Sequence, residues 1–133
     1  MLRPAREDEA AEETALAFLR AMEERDLERA RSLLADGFRL EFPGASYASL
    51  EEMVAAAGGR YGWVRKRVAR VESLAGQGRE VVYVTGTLYG ENLAGVPFDG
   101  VRFIDRFELV GGRIARQEVW NDLAESGALT RRG

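Results

Sequence analysis

The stretch Val101-Arg102-Phe103-Ile104-Asp105-Arg106-Phe107-Glu108-Leu109-Val110, then Gly111-Gly112, then Arg113-Ile114-Ala115-Arg116-Gln117-Glu118-Val119-Trp120, decides how the chain reads. Apolar and polar residues alternate on both sides of a double glycine, the pattern of two strands joined by a hairpin turn. Val101, Phe103, Asp105 and Phe107 share one face of the first strand. Three apolar neighbours turn that face inward, and Asp105 goes with them.

The strand pattern extends upstream. Val64 to Leu74 is a long, arginine-studded run of period two, and Gly76-Gln77-Gly78 turns it into Glu80 to Tyr89, rich in Val, Tyr and Thr. Gly90 to Gly95 is a loop, Phe98 to Val110 the next strand and Arg113 to Trp120 the last. Connections this short exclude crossovers, so the sheet is expected to be antiparallel. Strands of ten or more residues twist and coil.

The first third carries helical periodicity. From Arg6 to Glu24, Ala11, Ala15, Phe18, Leu19 and Met22 fall on one face, and Glu7, Asp8 and Glu9 suit the positive end of the dipole. Asp26 is placed to cap a second helix, Leu27 to Ala35, with Gly37 as its stop. Phe38 to Phe42 alternates as a short strand closed by Pro43-Gly44. Ser49 and Glu52 form a capping box for a third helix that carries Leu50, Met53, Val54 and Ala57 and ends at Gly58-Gly59. Asn121 to Gly133 is a tail with a short helical turn. Three helices followed by a meander of strands is an α+β order, and helices on the concave side of a curled sheet leave a conical cavity between them.

Composition narrows the chemistry. The chain has 133 residues, a net charge of −3 and neither cysteine nor histidine. That length fits one domain spanning 1–133, with its core at about 10–125. Thiol nucleophiles, disulfides, zinc ligand sets and Ser-His-Asp triads are excluded, and no metal or cofactor is expected. Acid–base work falls to Asp, Glu, Tyr, Lys or Arg. Lys66 is the only lysine, which we read as a bias toward arginine. The N-terminal stretch lacks an apolar segment and no run reaches the ~18 residues of a membrane span, so a soluble cytoplasmic protein is expected.

Ala17-Phe18-Leu19-Arg20-Ala21-Met22, Arg25-Asp26-Leu27 through Leu33-Leu34-Ala35-Asp36, Asp105 to Leu109, Gly112-Arg113-Ile114 and Val119-Trp120-Asn121-Asp122 resemble the SnoaL-like branch of the nuclear transport factor 2-like superfamily. The resemblance implies a cone-shaped, cystatin-like α+β barrel: three N-terminal helices on a strongly curved antiparallel sheet. This superfold hosts isomerases, dehydratases, cyclases, epoxide hydrolases and non-catalytic binders. Residue by residue, it removes options. Where the ketosteroid isomerase relatives place a tyrosine, a catalytic base and an oxyanion-hole aspartic acid, this chain has Phe18, Phe42 and Phe103. The last carboxylate of the limonene epoxide hydrolase relatives falls at Val119. Scytalone-dehydratase-like members depend on histidine, which is missing here.

Asp105 is left as the catalytic candidate. A carboxyl on an apolar wall is desolvated and its pKa raised toward proton abstraction; the competing reading is a structural carboxylate paired with an arginine. Phe18, Met22, Phe42, Phe103 and Val119 are candidate ligand contacts, with Tyr61 and Trp63 at the mouth and Asn121 at the rim. Aromatics such as Tyr61 and Trp63 are more often core or interface, and the competing reading of Asn121 is a turn residue that satisfies backbone groups. Tyr83, Thr85, Thr87 and Tyr89 form a hydroxyl stripe that suits either a pocket or a dimer interface. The basic run Arg60, Arg65, Lys66, Arg67 and Arg70 reads as a solvated or dimer-paired face; without a stacking platform, nucleic-acid binding is not expected. Exposed Ile104 and Trp120 would form an apolar patch, so a homodimer through the sheet is expected. The function implied is a small-molecule pocket for an apolar oxygenated metabolite, with isomerase, lyase or hydrolase chemistry on a carboxylate. The alternative is a non-catalytic dimeric ligand-binding or assembly domain.

Overall fold

In the computed structural model, which describes residues 3–130 and side chains from Glu9 onward, a helical hairpin and a third helix pack on one sheet. The helices are α1 (Arg3–Glu23), α2 (Leu27–Ser32) and α3 (Leu50–Gly58). The strands are β1 (Leu34–Phe42), β2 (Ala45–Tyr47), β3 (Tyr61–Gly76), β4 (Arg79–Asn92), β5 (Pro97–Val110) and β6 (Arg113–Asn121). The side chains of Glu7 and Asp8, expected to favour the helix dipole, and the end of the tail (131–133) lie outside the described residues.

Local chemistry sets the boundaries. Asp26 caps α2 by accepting from the Arg29 N–H, and Ser49 caps α3 by accepting from the Glu52 N–H. Helix α2 is shorter than its sequence suggests. It ends at Ser32, and Gly37, with φ of +72°, sits inside β1 instead of stopping a helix. There its left-handed backbone absorbs an irregularity between Leu34 and Arg39.

The sheet order is β2-β1-β6-β5-β4-β3. Every neighbouring pair is antiparallel except β1 and β6, which run parallel, with Leu40 opposite Gln117. The expectation of a wholly antiparallel sheet fails at this pair. The reasoning from short connections holds only for strands adjacent in sequence, and β1 and β6 are far apart.

Curvature comes from β3 and β4. Strand β3 has register shifts between Tyr61 and Trp63, opposite Asn92 and Glu91 and next to the Val64–Gly90 pair, and between Val68 and Arg70, opposite Gly86 and Thr85 of β4. A Cβ at Gly86 would collide with the Arg67 carbonyl, and one at Gly90 with the Trp63 carbonyl. The two glycines let β3 curl over the sheet where any side chain would hold it off. Helix α1 fills the concave side with a packed core, and the groove and the depression described below are lined by neither Asp105 nor Lys66, in contrast to the conical cavity expected there. Phe18 is fully buried and meets Phe107 edge-on at 6.1 Å, and Val82, Leu109 and Ile114 are buried with them. Full burial of a Phe contributes about 1.5–3 kcal/mol.

Candidate functional site around Asp105 and Lys66

Alternation along β5 sends Val101, Phe103, Asp105 and Phe107 to the buried side, as their sequence pattern implies. Asp105 is 0% exposed, flanked in register by Val84 of β4 and Val119 of β6. Burial pushes its carboxyl above the ordinary carboxylate range, and the charge of Lys66 pulls it back only in part. Lys66 Nζ stands 3.7 Å from Asp105 Oδ2, an ion-pair distance too long for a direct hydrogen bond. Neither carboxylate oxygen has a hydrogen-bond partner. Leaving such a group unsatisfied costs about 1–3 kcal/mol, more when it is charged.

Lys66 reaches this position from the far side of β4. It pairs in register with Leu88, two residues from Gly86, over which the β3 backbone closes. Its ammonium lies 5.1 Å from the centre of the Phe103 ring. Its backbone N–H donates to Glu23 Oε2 at 2.8 Å, tying the end of α1 to β3. The Lys66 side chain is 22% exposed, whereas that of Asp105 is 0% exposed. Gln117, also buried, adds an unpartnered Oε1 on the inward face of β6, next to Val119.

The basic run therefore divides. Lys66 turns inward, whereas Arg67 pairs with Asp99 at 2.5 Å and stacks 4.0 Å from the centre of the Tyr89 ring. Sequence reasoning placed Lys66 with its arginine neighbours and missed it as a site residue. Its being the lone lysine was the available signal.

The other candidates separate by face. Phe103 and Val119 join Asp105, Phe18 and Met22 belong to the buried core, and Phe42 is half-buried against Tyr47, ring centres 5.7 Å apart. Tyr61, at the start of β3, is half-buried opposite Asn92. Tyr83 and Trp63 do not belong to the wall around Asp105. Tyr83 alternates with buried Val82 and Val84, and its hydroxyl accepts from Arg106 Nε at 3.3 Å on the outer face. Trp63 is exposed and packs edge-on against Tyr89, on a shallow depression of about 320 Å³ shared with Phe98. Asn121 ends β6 opposite Phe103, at the rim of the outer groove, and its Oδ1 accepts from the Leu123 N–H at 3.1 Å.

The hydroxyl stripe lies on the outer face. An open groove of about 1090 Å³ touches Thr85 and Thr87 together with Arg70, Arg102, Ile104 and Trp120. Ile104 and Trp120 are paired in register and are 42% and 52% exposed. Beside them Arg106 donates to Glu108 and Glu118 at 2.6 and 2.7 Å. Hydrogen bonding to Glu108 raises the Arg106 pKa against its own burial, and the same bond lowers that of Glu108. Among the described residues, no three acidic side chains converge as metal ligands would, and no helix is long and apolar enough to cross a membrane.

The family profile of the SnoaL-like domain matches residues 15–117. The chain belongs to the SnoaL-like family. No curated protein matches this SnoaL-like chain in sequence. Among solved structures it is similar to TerC co-crystallized with polyporic acid, at 21% identity and a TM-score of 0.75, covering 90% of this chain and 97% of the other. It is also similar to Bal32a from a soil-derived mobile gene cassette, at 21% identity and a TM-score of 0.73, covering 94% and 99%. A protein classed as a SnoaL-like polyketide cyclase, from Jannaschia sp. CCS1, shares 19% identity at a TM-score of 0.70, covering 95% of each chain. At these identities the likeness is one of fold, and SnoaL-like chemistry has to be argued from Asp105 and Lys66.

Proposed function

We propose that this SnoaL-like domain binds a small, largely apolar, oxygenated metabolite against the inner face of β4, β5 and β6, and that Asp105 transfers a proton on it. The observation that carries the proposal is a fully buried carboxyl with no hydrogen-bond partner, placed 3.7 Å from the ammonium of a partly exposed lysine. A raised pKa brings a carboxyl nearer the pH at which it can both take and return a proton. Phe103 and Val119 supply apolar contact, and the Lys66 ammonium stabilises negative charge developing on a ligand oxygen. These residues suit an isomerase, lyase or hydrolase that uses carboxylate acid–base chemistry. TerC, of the same fold, was co-crystallized with polyporic acid, which supports a small-molecule ligand here.

The test couples binding to turnover. Oxygenated ring compounds are screened by thermal shift, since a ligand of the folded state raises its apparent stability, and binders are then followed for conversion. Asp105→Asn is expected to keep the shift and to lose conversion by roughly a hundredfold or more. Conversion at the wild-type rate in Asp105→Asn removes Asp105 from the chemistry.

We also propose that two copies pair through the outer groove. Ile104 and Trp120 form a contiguous apolar row, and Thr85 and Thr87 beside them offer hydrogen bonds suited to an interface.

A further inference from the structure

Of the 19 basic residues in this chain, one is a lysine, and it is the one that reaches the fully buried Asp105. Elsewhere in the described fold the ion pairs of the sheet and of the α2–α3 contact use arginine: Arg31 with Glu51, Arg67 with Asp99, Arg79 with Glu108, Arg102 with Asp122 and Arg106 with Glu118. Arginine's planar fork is the better partner for a carboxylate, and its charge is permanent. A lysine at this point forms a poorer ion pair, at 3.7 Å and without a hydrogen bond. It alone offers what arginine cannot, a primary amine that can release its proton and attack carbon. The carboxylate beside the ammonium supplies a proton acceptor, the Phe103 ring beneath it an apolar surround, and the partly exposed Lys66 side chain the side from which a carbonyl compound approaches.

We propose that Lys66 captures an aldehyde or ketone as a covalent imine, with Asp105 as the proton carrier. The inference rests on the ligand site proposed above and names its substrate class, a carbonyl compound with an apolar body. The Lys66 ammonium first passes a proton to the Asp105 carboxylate. The freed nitrogen lone pair attacks the carbonyl carbon, and the C=O π electrons move to oxygen, which takes that proton from Asp105 to give a carbinolamine. The nitrogen then loses a second proton to Asp105. As the C=N bond forms and the C–O bond breaks, Asp105 delivers this proton to the departing hydroxyl, which leaves as water. One ammonium and one carbonyl become one protonated imine and one water, Asp105 ends as it began, and no electrons are exchanged with an outside agent.

The full chain is incubated with benzaldehyde and sodium cyanoborohydride, which reduces an imine to a stable amine, and the adduct is located by intact mass and peptide mapping. With a single lysine, the only competing amine is the chain's α-amine, which serves as an internal reference. The expected result is an adduct at Lys66 that forms faster than the α-amine adduct, vanishes in Lys66→Arg, and forms roughly a hundredfold more slowly in Asp105→Asn. Non-covalent binding is read separately as the thermal shift by benzaldehyde in Lys66→Arg, where no imine can form. Labelling confined to the α-amine, with that shift intact, overturns the imine and leaves the ligand site standing. No Lys66 adduct, together with no shift by benzaldehyde or by any oxygenated ring compound, removes both. Labelling of Lys66 at an equal rate in Asp105→Asn strips Asp105 of its role as proton carrier.

Discussion

Asp105 couples the site to the stability of the fold. Because burial raises its folded-state pKa above the ordinary 3.8, the folded protein keeps a proton that the unfolded chain releases. The contribution of this residue is therefore complete below the ordinary pKa and declines as pH rises toward the folded-state value. Glu108, held low by Arg106, acts in the opposite sense, adding stability above the ordinary carboxylate pKa that is lost as pH falls. The two are separable by difference. Urea unfolding of wild type and Asp105→Asn across pH is expected to show wild type losing stability relative to the variant as pH climbs from 3.8. A pH-independent difference contradicts a raised folded-state pKa. The inward direction of Asp105 was legible because Val101, Phe103 and Phe107 surround it at even spacing. Its partner was not. The register of β3 is unbroken from Trp63 to Val68, so Lys66 shares a face with Val64 and Val68; no local pattern shows that its side chain reaches past β4 to Asp105 on β5.

Among the elements, β3 and β4 show how glycine shapes the site. Gly86 lies where the β3 backbone presses closest, against the Arg67 carbonyl. Gly86→Ala is expected to destabilise the fold by about 1–3 kcal/mol, the range for forcing an extra methyl group into a packed site. Gly58→Ala, at the end of α3 with nothing near the added methyl, is expected to be neutral or to stabilise by about 0.4–1 kcal/mol. Denaturant titration of the two variants, with equal m-values, checks the contrast; equal stabilities would mean that β3 can move off the sheet freely. Sequence reasoning anticipated both helix caps and the Gly111-Gly112 turn, because these depend on neighbours a few residues apart. It mistook the start of β1 for the end of a helix, because Gly37 suits a helix stop as well as a strand irregularity. It also missed β2, whose three residues are too few to show a period.

For the whole molecule, a sheet of six strands with helices on one side leaves the other side to be covered or solvated. Ile104→Glu places a charge at the centre of the proposed contact and is expected to convert a dimer to a monomer in sedimentation velocity, with the circular dichroism spectrum unchanged. A wild-type chain that sediments as a monomer at micromolar concentration, or a variant that still dimerises, contradicts pairing through this groove. The α+β arrangement and the meander of β3 to β6 were readable from element order. The place of β1 was not, since no local signal tells a strand which distant neighbour it will join.

That pairing bears on how the protein is made. Strand β1 is synthesised early, yet its partner β6 lies about eighty residues downstream, a separation that slows closure of the native arrangement. On the ribosome, the greasy inner edge of Leu34 and Leu40 must wait until Ile114 and Gln117 emerge, with β3, β4 and β5 assembled in between. A nascent chain stalled before Arg113 would present an unzipped edge to whatever chaperone or neighbouring polysome lay nearest.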